Sequence, residues 1–593
     1  MPSSPAPHTT TNGHGTLDAS SGNGISPENE ALIADKKDPE AGYPDIETKT
    51  RWPFLTSTCK ELGKQGRLAI PLGMNLLANY STSTISLKFI APLGNEYIAA
   101  ASLATSTYWM FGKLLVQSLC GALDTRASQA YGMGAYEALP VIFQRTSMLM
   151  LAHCIPITLV QLAVPELLRL AGEDPELCRL ASAYAIRLLP SLYIEALSRP
   201  LNRILIAQRV ALPQMFVSIA VAALHFGVNH LLVNTLGLGF LGAAWAIGIA
   251  SFNTTALTAA WVALAGMRDR VWGKPTWQAF QRWGEFTKLA YSSCFMKVAE
   301  SWAFGMLVLF AGLLPDPTRS VASTSIAFNT YGITYMPFLA ESIAVSTRVG
   351  NELGAGRPRN AKMVVFATLT ITPLLWLVIA CILAEPHLQS ALLHLYVDGS
   401  DAVLWHTLRQ LLTIVAVIEL ADALQTVLGG VVQGSGRQQK GAIINLVAFY
   451  VFAMPLALFL AFYVGWGVLG LFAGMGLGPI IQTLLYGWLV LRTDWEKEAS
   501  KAATLASKEE EEVLVRQSLD LPRHSMNGAR EPLLAGLDRA SGQDGLRCPD
   551  DGPGDEDSET CCRGGAAPHS GAALDLKYEV VAECGTAPPE DKA

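Results

Sequence analysis

Three carboxylic acids lie inside segments of this sequence that are otherwise almost entirely apolar. Glu300 and Asp422 each lie in the middle of such a segment, and Glu419 precedes Asp422 by three residues, on the same face of a helix. Removing a carboxyl group from water disfavours its charged form, so a buried acid can take a proton near neutral pH and exchange it for a cation. We predict a site for protons and cations here; the alternative is structural carboxyl groups hydrogen-bonded between helices.

A base accompanies the first of these acids. Lys297 precedes Glu300 by three residues, so the two side chains can meet on one helix face. A neighbouring ammonium stabilises the charged form of a carboxyl group, which opposes the effect of burial. We predict that Lys297 tunes or partly neutralises the proton site. The alternative is a lysine whose ammonium reaches the membrane interface.

Aromatic rings are predicted to lie near the acids. The candidates by helix position are Trp302, Phe304, Tyr331 and Tyr335. The face of an aromatic ring attracts a desolvated organic cation by up to ~2 kcal/mol. These rings are therefore candidates for stacking on flat cations, with core packing or lipid contact as the alternative.

The elements that must hold these side chains are membrane-spanning helices. The 593 residues are 51% hydrophobic and 16% charged, with a mean hydropathy of +0.31, whereas soluble domains are about 25% charged. Apolar runs of about 20 residues, long enough to cross the hydrocarbon core, recur along most of the chain. They predict an all-α polytopic membrane protein with about twelve transmembrane helices. The predicted spans are residues 67–90, 97–122, 140–164, 178–200, 212–234, 239–265, 286–313, 321–346, 362–384, 407–432, 441–463 and 467–491.

Charge sets the orientation of these spans. Lys and Arg collect in the connections after even-numbered spans, so these connections and both termini are predicted to be cytosolic. The two chain ends are polar and lack apolar periodicity, which is typical of disorder. The predicted segments are a disordered amino-terminal tail (1–62), a six-helix bundle (63–265), a cytosolic linker (266–285), a second six-helix bundle (286–495) and a disordered carboxyl-terminal tail (496–593).

Two further charged positions have structural explanations. Lys113 lies near the end of a predicted span, and its ammonium is expected to reach the interface. Glu195 precedes Arg199 by four residues, so the two are expected to form an ion pair within one helix.

The two halves carry the same motif, which we name the elbow, after their second helix. Its first copy contains Asp124, Thr125, Arg126, Gln129, Gly132 and Gly134, and its second copy contains Thr347, Arg348, Asn351, Gly354 and Gly356. The shared positions are all 222 residues apart, which predicts two related six-helix halves. Repeated halves are common in secondary transporters, which bind substrate between them. We expect the charged elbow residues to act in gating or topology rather than in ligand binding.

The second elbow resembles a known family. The segments STRVGNELGAG (346–356) and GGVVQGSGRQQKG (429–441) are similar to motifs of the multidrug and toxic compound extrusion (MATE) family, in its eukaryotic, plant or algal branch. The first elbow and the segment from Glu300 to Trp302 are also similar. The resemblance covers about residues 63 to 495 and implies the MATE fold of the MOP flippase superfamily. It also places Glu300 and Asp422 at the positions of the family's essential acids.

The chain departs from this resemblance at two positions. Many eukaryotic members have a Trp beside the first glutamate and a second glutamate five residues after it, where this chain has Ser301 and Gly305. We therefore expect cation binding to use fewer charges here.

These features predict a proton-coupled antiporter that exports small organic, often cationic, compounds such as xenobiotics or secondary metabolites by alternating access. We expect a monomer in the lipid bilayer whose partners are small organic substrates and protons, with no nucleic acid, no metal and no cofactor. Sodium is less favoured than protons because no oxygen cage is evident. The plasma membrane and the vacuolar membrane both stay open, since an acidic dileucine pattern lies at residues 28–33.

The sequence favours other functions less. A flippase for lipids or lipid-linked sugars would have the same fold but would need several Arg or Lys in its cavity. A channel or receptor that lost antiport is supported only by Gly305. An enzyme is not predicted, because the sequence has no phosphate-binding Gly-Lys loop, paired metal ligands or nucleophile elbow.

Overall fold

A computed structural model of the chain describes residues 51–170, 174–394, 396–397 and 401–519. Within these residues, twelve long helices occupy the positions of the twelve predicted spans. They are α1 (Arg51–Ile90), α2 (residues 95–133), α3 (Ala138–Leu170), α4 (Pro175–Ala207), α5 (Leu212–Thr235), α6 (Gly239–Leu264), α7 (Trp283–Ala311), α8 (Pro317–Gly354), α9 (Pro358–Ala384), α10 (Ala402–Gly434), α11 (Gln438–Tyr463) and α12 (Gly467–Leu491). In the described part of the chain, eight of them are long and apolar enough to cross a membrane by length and composition alone.

Several of these helices are locally irregular. Helix α2 contains a π-helical turn at Trp109–Lys113 and a break at Cys120. Helix α11 contains two π-helical stretches, Val447–Ala453 and Phe459–Tyr463. Short helices lie between the long ones, at Ala91–Leu93, Arg268–Val271, Trp277–Phe280 and Pro386–Leu393.

Each half has its own apolar core. The first half buries side chains such as Leu123, Tyr184 and Leu192, and the second buries Phe338 and Phe449. The halves meet where α2 contacts α7 and α8, and where α1 contacts α8 and α9. A smaller cluster joins the halves, because Leu68 of α1 packs with Ala340 and Ala344 of α8.

The two elbows cross at one face of the bundle. We call this the elbow face and define it by residues 121–134, 346–356 and 433–441. A Cβ on Gly132 would lie 2.0 Å from the backbone oxygen of Asn351, and a Cβ on Gly354 would lie 2.0 Å from that of Gln129. Only glycine permits so close a backbone approach. Since these pairs are equivalent in the repeat, the crossing has approximate two-fold symmetry.

Both predicted disordered tails include residues that the structure shows as helix. Helix α1 begins at Arg51, so the prediction of disorder was wrong for residues 51–62, and Gln65 of this helix donates to the Val364 carbonyl oxygen of α9 at 3.0 Å. Disorder was also wrong for residues 496–519, which form α13 (Trp495–Leu519). The remaining parts of both tails, including the dileucine pattern at residues 28–33, lie outside the described residues.

Helix α13 packs through one apolar face. Its buried side chains recur at helical spacing, and α13 contacts α2 and α3 of the first half and α8 and α9 of the second. Those side chains are Trp495, Ala499, Ala502, Ala506 and Val513. An apolar stripe of this kind lets the helix pack against the bundle, although its acidic run is typical of a solvated segment.

Candidate functional site

Glu300 and Asp422 come together inside the second half. Gln425, one turn after Asp422 on α10, donates through Nε2 to Glu300 Oε1 at 2.9 Å and to Asp422 Oδ1 at 3.0 Å. The helical spacing of Asp422 and Gln425 points both side chains toward α7, where Glu300 lies. One amide therefore links the two carboxyl groups that the sequence singled out.

Tyrosines of α8 complete one side of this network. The Tyr331 hydroxyl donates to Asp422 Oδ2 at 2.5 Å, and the Tyr335 hydroxyl accepts from Thr426 Oγ1 at 3.2 Å. The two rings stack at 5.8 Å between centroids, and Phe304 of α7 stacks on Tyr331 at 5.6 Å. The structure thus places the predicted aromatic residues Tyr331 and Tyr335 in the shell of the acids.

An amide from α11 completes the other side. Asn445 Nδ2 donates to Glu300 Oε2 at 3.3 Å and to the Met296 carbonyl oxygen at 2.7 Å. The Tyr486 hydroxyl of α12 donates in turn to Asn445 Oδ1. All four oxygens of the two carboxyl groups therefore accept hydrogen bonds, and every donor is electrically neutral.

No cation neutralises this pair of acids in the described part of the chain. No Lys, Arg or His nitrogen there lies within 4.0 Å of a carboxyl oxygen of Glu300 or Asp422. Two acids near each other in a medium of low dielectric repel strongly when both are charged. The arrangement therefore suits a group that arrives from outside, either a proton or a cation.

Glu419 does not join this network. Its side chain is fully buried, and within the described residues neither of its carboxyl oxygens accepts a hydrogen bond of standard geometry. The Thr334 hydroxyl is close enough to stabilise the charged form of Glu419, but this hydroxyl already donates to the carbonyl oxygens of Thr330 and Tyr331. A buried acid with such weak hydrogen bonding is costly when charged, which favours its neutral form.

Lys297 lies at the junction of the two halves. Next to it, α7 crosses α2 so closely that a Cβ on Gly121 would lie 2.5 Å from the Ser293 Cβ. Within the described range, no carboxyl oxygen lies within 4.0 Å of the Lys297 ammonium, so the meeting with Glu300 is not an ion pair. The strongest electrostatic influence of a charged group on Lys297 comes from Asp124 of the first elbow.

The aromatic candidate Trp302 contacts the first half. Trp302 Nε1 donates to the Met110 carbonyl oxygen of α2 at 3.3 Å, and its ring meets Phe111 edge-on at 5.9 Å. The Met110 methyl group also occupies the space beside Gly305, since a Cβ there would lie 2.4 Å from its carbon. A glutamate at position 305 would not fit while this methionine stays in place.

The elbows make direct contacts between the halves. Thr125 Oγ1 donates to the Gln433 carbonyl oxygen at 2.7 Å, and Gln129 Nε2 donates to the Gly434 carbonyl oxygen at 3.2 Å. Asp124 accepts from Gln433 Nε2 at 2.6 Å. Since these bonds join α2 to the end of α10, the elbow face is closed in this structure.

The elbow arginines lie beside acidic side chains. Arg348 is buried and donates to both carboxyl oxygens of Glu61 on α1, at 3.0 and 2.9 Å. Arg126 lies 3.9 Å from Glu285 of α7 and 3.9 Å from Glu509 of α13. Thr347 and Asn351 are buried beside Arg348 on α8. The predicted gate residues therefore tie the two halves together.

Comparison with known proteins decides the family. The MatE family model matches residues 71–231 and 292–459, more than half of the chain. Protein DETOXIFICATION 51 of Arabidopsis thaliana is 32% identical over 77% of this chain and 85% of its own length. This chain belongs to the MATE family. Multidrug and toxin extrusion protein 2 of Mus musculus is 30% identical, over 80% of this MATE chain and 82% of its own length.

Solved structures agree with the family. The crystal structure of the eukaryotic MATE transporter AtDTX14 matches this MATE chain with a TM-score of 0.72 and 30% identity, covering 76% of this chain and all of that one. The chain is therefore an integral multi-pass membrane transporter, and the predictions of the fold and of a protein that is not an enzyme are confirmed.

Sequence reasoning missed the neutral residues of this MATE site. Gln425, Asn445 and Tyr486 carry no charge, so they do not stand out in apolar helices as Glu300 does. The spacing of Gln425 from Asp422 was a usable signal, because residues three apart share a helix face. The contacts of Asn445 depend on how α11 packs against α7, which the sequence does not reveal.

Proposed function

We propose that this MATE transporter is a proton-coupled antiporter that exports small organic molecules, including cations, by alternating access. In this proposal the elbow face and both termini are cytosolic, and the site on Glu300 and Asp422 binds either a proton or a cation. The chain acts as a monomer without metal or cofactor, and its membrane is the plasma membrane or the vacuolar membrane. The names of its relatives, which refer to detoxification and to extrusion of toxins, support export of organic compounds.

The observation that carries the proposal is that every hydrogen-bond donor to the two acids is electrically neutral. Glu300 and Asp422 share the donor Gln425 and have no basic partner within ion-pair distance among the described residues. A buried carboxylate requires compensation of its charge. A proton or the cationic group of a substrate supplies it, and because both use the same oxygens, each displaces the other.

The closed gate supports alternating access. The elbow face is held by short bonds between the halves, such as that from Thr125 to the Gln433 carbonyl oxygen. A substrate that enters from this face requires these bonds to break while the halves rock apart. External protons then bind the acids, release the substrate and return the empty transporter to the cytosol-open state.

The gradient supplies enough driving force for uphill export. One pH unit corresponds to ~1.4 kcal/mol for each proton. A membrane potential of 100 mV adds ~2.3 kcal/mol for each charge that moves across the membrane. For a neutral substrate, a single proton thus supports a concentration ratio of more than a hundredfold under both forces. For a monovalent cation no net charge moves, and one pH unit supports about tenfold.

Reconstitution tests the proposal. The purified full chain is placed in vesicles that are acidic inside and contain a fluorescent pH indicator, and tetraethylammonium is added outside. We expect uptake of the cation together with proton efflux, both proportional to the imposed pH gradient. Uptake that ignores the gradient, or that occurs without proton movement, would contradict the proposal.

A further inference from the structure

The interior of the transporter contains two clusters of opposite charge. The first, the acidic pair, is Glu300 with Asp422. The second, which we call the basic cluster, lies on α2, α4 and the neighbouring part of α7. It consists of Lys113, Asp124, Glu195, Arg199, Arg203 and Lys297.

Two acids hold three bases in the basic cluster. Glu195 pairs with Lys113 at 2.9 Å and with Arg199 at 2.7 Å, so Lys113 does not reach the interface as the sequence predicted. Asp124 lies 3.5 Å from Arg203 and also accepts from Gln433. Both carboxyl groups of the cluster therefore already have basic partners other than Lys297.

Lys297 is the base without a close partner. It is half-buried, and among the described residues no carboxyl oxygen lies within 4.0 Å of its ammonium. With four bases and two acids, the basic cluster has a formal charge of +2. Removing such an ammonium from water without a counter-charge is unfavourable, so the site favours an anionic group beside Lys297.

The two clusters are neighbours. Lys297 and Glu300 lie on the same helix three residues apart, and Lys297 acts electrostatically on Glu300. The acidic pair has a formal charge of −2 when it is deprotonated, equal and opposite to that of the basic cluster. A plain cation at Glu300 would lie roughly 5 Å, about one helical turn, from Lys297 and would be repelled by it.

We propose that this transporter selects zwitterionic organic molecules, whose anionic group pairs with Lys297 while their cationic group binds at Glu300 and Asp422. This inference rests on the proposed function, because the cationic end is the part that exchanges for protons. The anionic end adds selectivity without entering the exchange. Lys297 is thus a specificity-determining residue, and the preferred substrates carry opposite charges a few ångströms apart.

A matched pair of probes tests this inference. Tryptophan and tryptamine share the indole ring and the ammonium and differ by one carboxylate. Binding of each is measured on the purified full chain in nonionic detergent by equilibrium dialysis. We expect the wild type to bind tryptophan at least tenfold more tightly than tryptamine. In Lys297→Leu tryptophan should lose at least tenfold in affinity and tryptamine should gain, whereas Lys297→Arg should keep the wild-type preference.

Controls separate this inference from the proposed function. Lys88→Leu removes an exposed lysine on α1 and should leave the preference unchanged, and Lys297→Gln replaces Lys297→Leu if the latter fails to fold. A tryptophan-to-tryptamine ratio that is the same in wild type and Lys297→Leu would overturn the inference. The proposed function would still stand in that case, provided that tetraethylammonium uptake follows the pH gradient. Loss of that gradient dependence alone would instead count against proton coupling.

Discussion

Gly132 and Gly354 each leave room for a backbone carbonyl of the opposite elbow. A Cβ on either would lie 2.0 Å from that oxygen, on Asn351 or on Gln129 respectively. These two glycines are equivalent positions of the repeat, so the contact between the halves is built twice from one motif. The close crossing holds the elbow face closed and makes it sensitive to a single methyl group.

Substituting Gly354→Ala should therefore weaken the closed gate. Overpacking at a backbone contact costs about 1–3 kcal/mol, which lowers the equilibrium constant for closing roughly fivefold to more than a hundredfold. The measurement is the rate at which a maleimide labels Cys120, buried near the first elbow, with the other cysteines replaced by serine. Gly248→Ala, where a Cβ meets nothing within 4 Å, is the matched control. Equal labelling rates in both variants would refute this account of the gate.

A cross-link between the halves should stop transport. A Cβ on Gly73 of α1 would lie 3.7 Å from the Ala340 Cβ of α8, within the range found in disulfides. In a background without native cysteines, the double variant Gly73→Cys with Ala340→Cys should lose at least nine-tenths of its transport on oxidation and recover it on reduction. The single variants serve as controls. Undiminished transport by the cross-linked protein would argue against rocking of the halves.

Gln425 should set the pH response of the acidic pair. In Gln425→Leu each carboxyl group loses a donor, which costs about 1–3 kcal/mol for each charged acceptor left unpaired. Because hydrogen bonds favour the charged form, their loss favours the protonated form. The pH of half-maximal transport should therefore rise. Gln389→Leu removes a buried glutamine that binds Arg409 on the opposite face and should leave this pH unchanged. If both variants shift the pH of half-maximal transport equally, the shift is a general effect of stability and the prediction fails.

The sequence predicted the helices and the acids for a physical reason. Transmembrane spans are recognised in a sequence by their length and apolar content. An acid such as Glu300 is conspicuous within a span because burying a charge is costly. Sharing of one donor by Glu300 and Asp422 depends instead on the packing of α7 against α10. The sequence of either helix alone does not reveal how the two helices pack.

Helix α13 was missed for a different reason. Its acidic run from Glu509 to Glu512 is typical of a solvated tail, and it outweighed the spacing of Trp495, Ala499 and Ala502. That spacing of four and then three residues was the available signal. The partners of this stripe come from both halves and are distant in sequence, so tertiary packing decided the structure.

The pH dependence of stability should reveal an ion pair opposite the elbow face. Asp401 accepts from the backbone N–H groups of Val403 and Leu404 at 3.1 Å and from Arg319 Nε at 2.8 Å. The Leu404 N–H and then the Arg319 guanidinium hold the pKa of the Asp401 carboxyl below its ordinary value. A lowered acid pKa stabilises the fold above the unfolded value of about 4, and this stability is lost as the pH falls through the folded value.

Asp401→Asn should therefore have a lower melting temperature than wild type at pH 7, and the two curves should converge as the pH falls below about 4. Asparagine keeps the helix cap, so the difference reports mainly the pair with Arg319. Arg319→Gln should reproduce most of the effect, and the double variant should add little to it. A difference that persists unchanged at pH 3 would contradict this assignment.

Proton coupling through the acidic pair is tested most directly by gradient-driven uptake of tetraethylammonium into vesicles. Glu300→Gln and Asp422→Asn keep the shape of each side chain and remove its titratable proton. We expect each variant to lose at least tenfold of the uptake driven by the pH gradient while its melting temperature stays within a few degrees of wild type. If both amide variants still accumulate the cation in proportion to the gradient, the acidic pair is not the site of proton exchange.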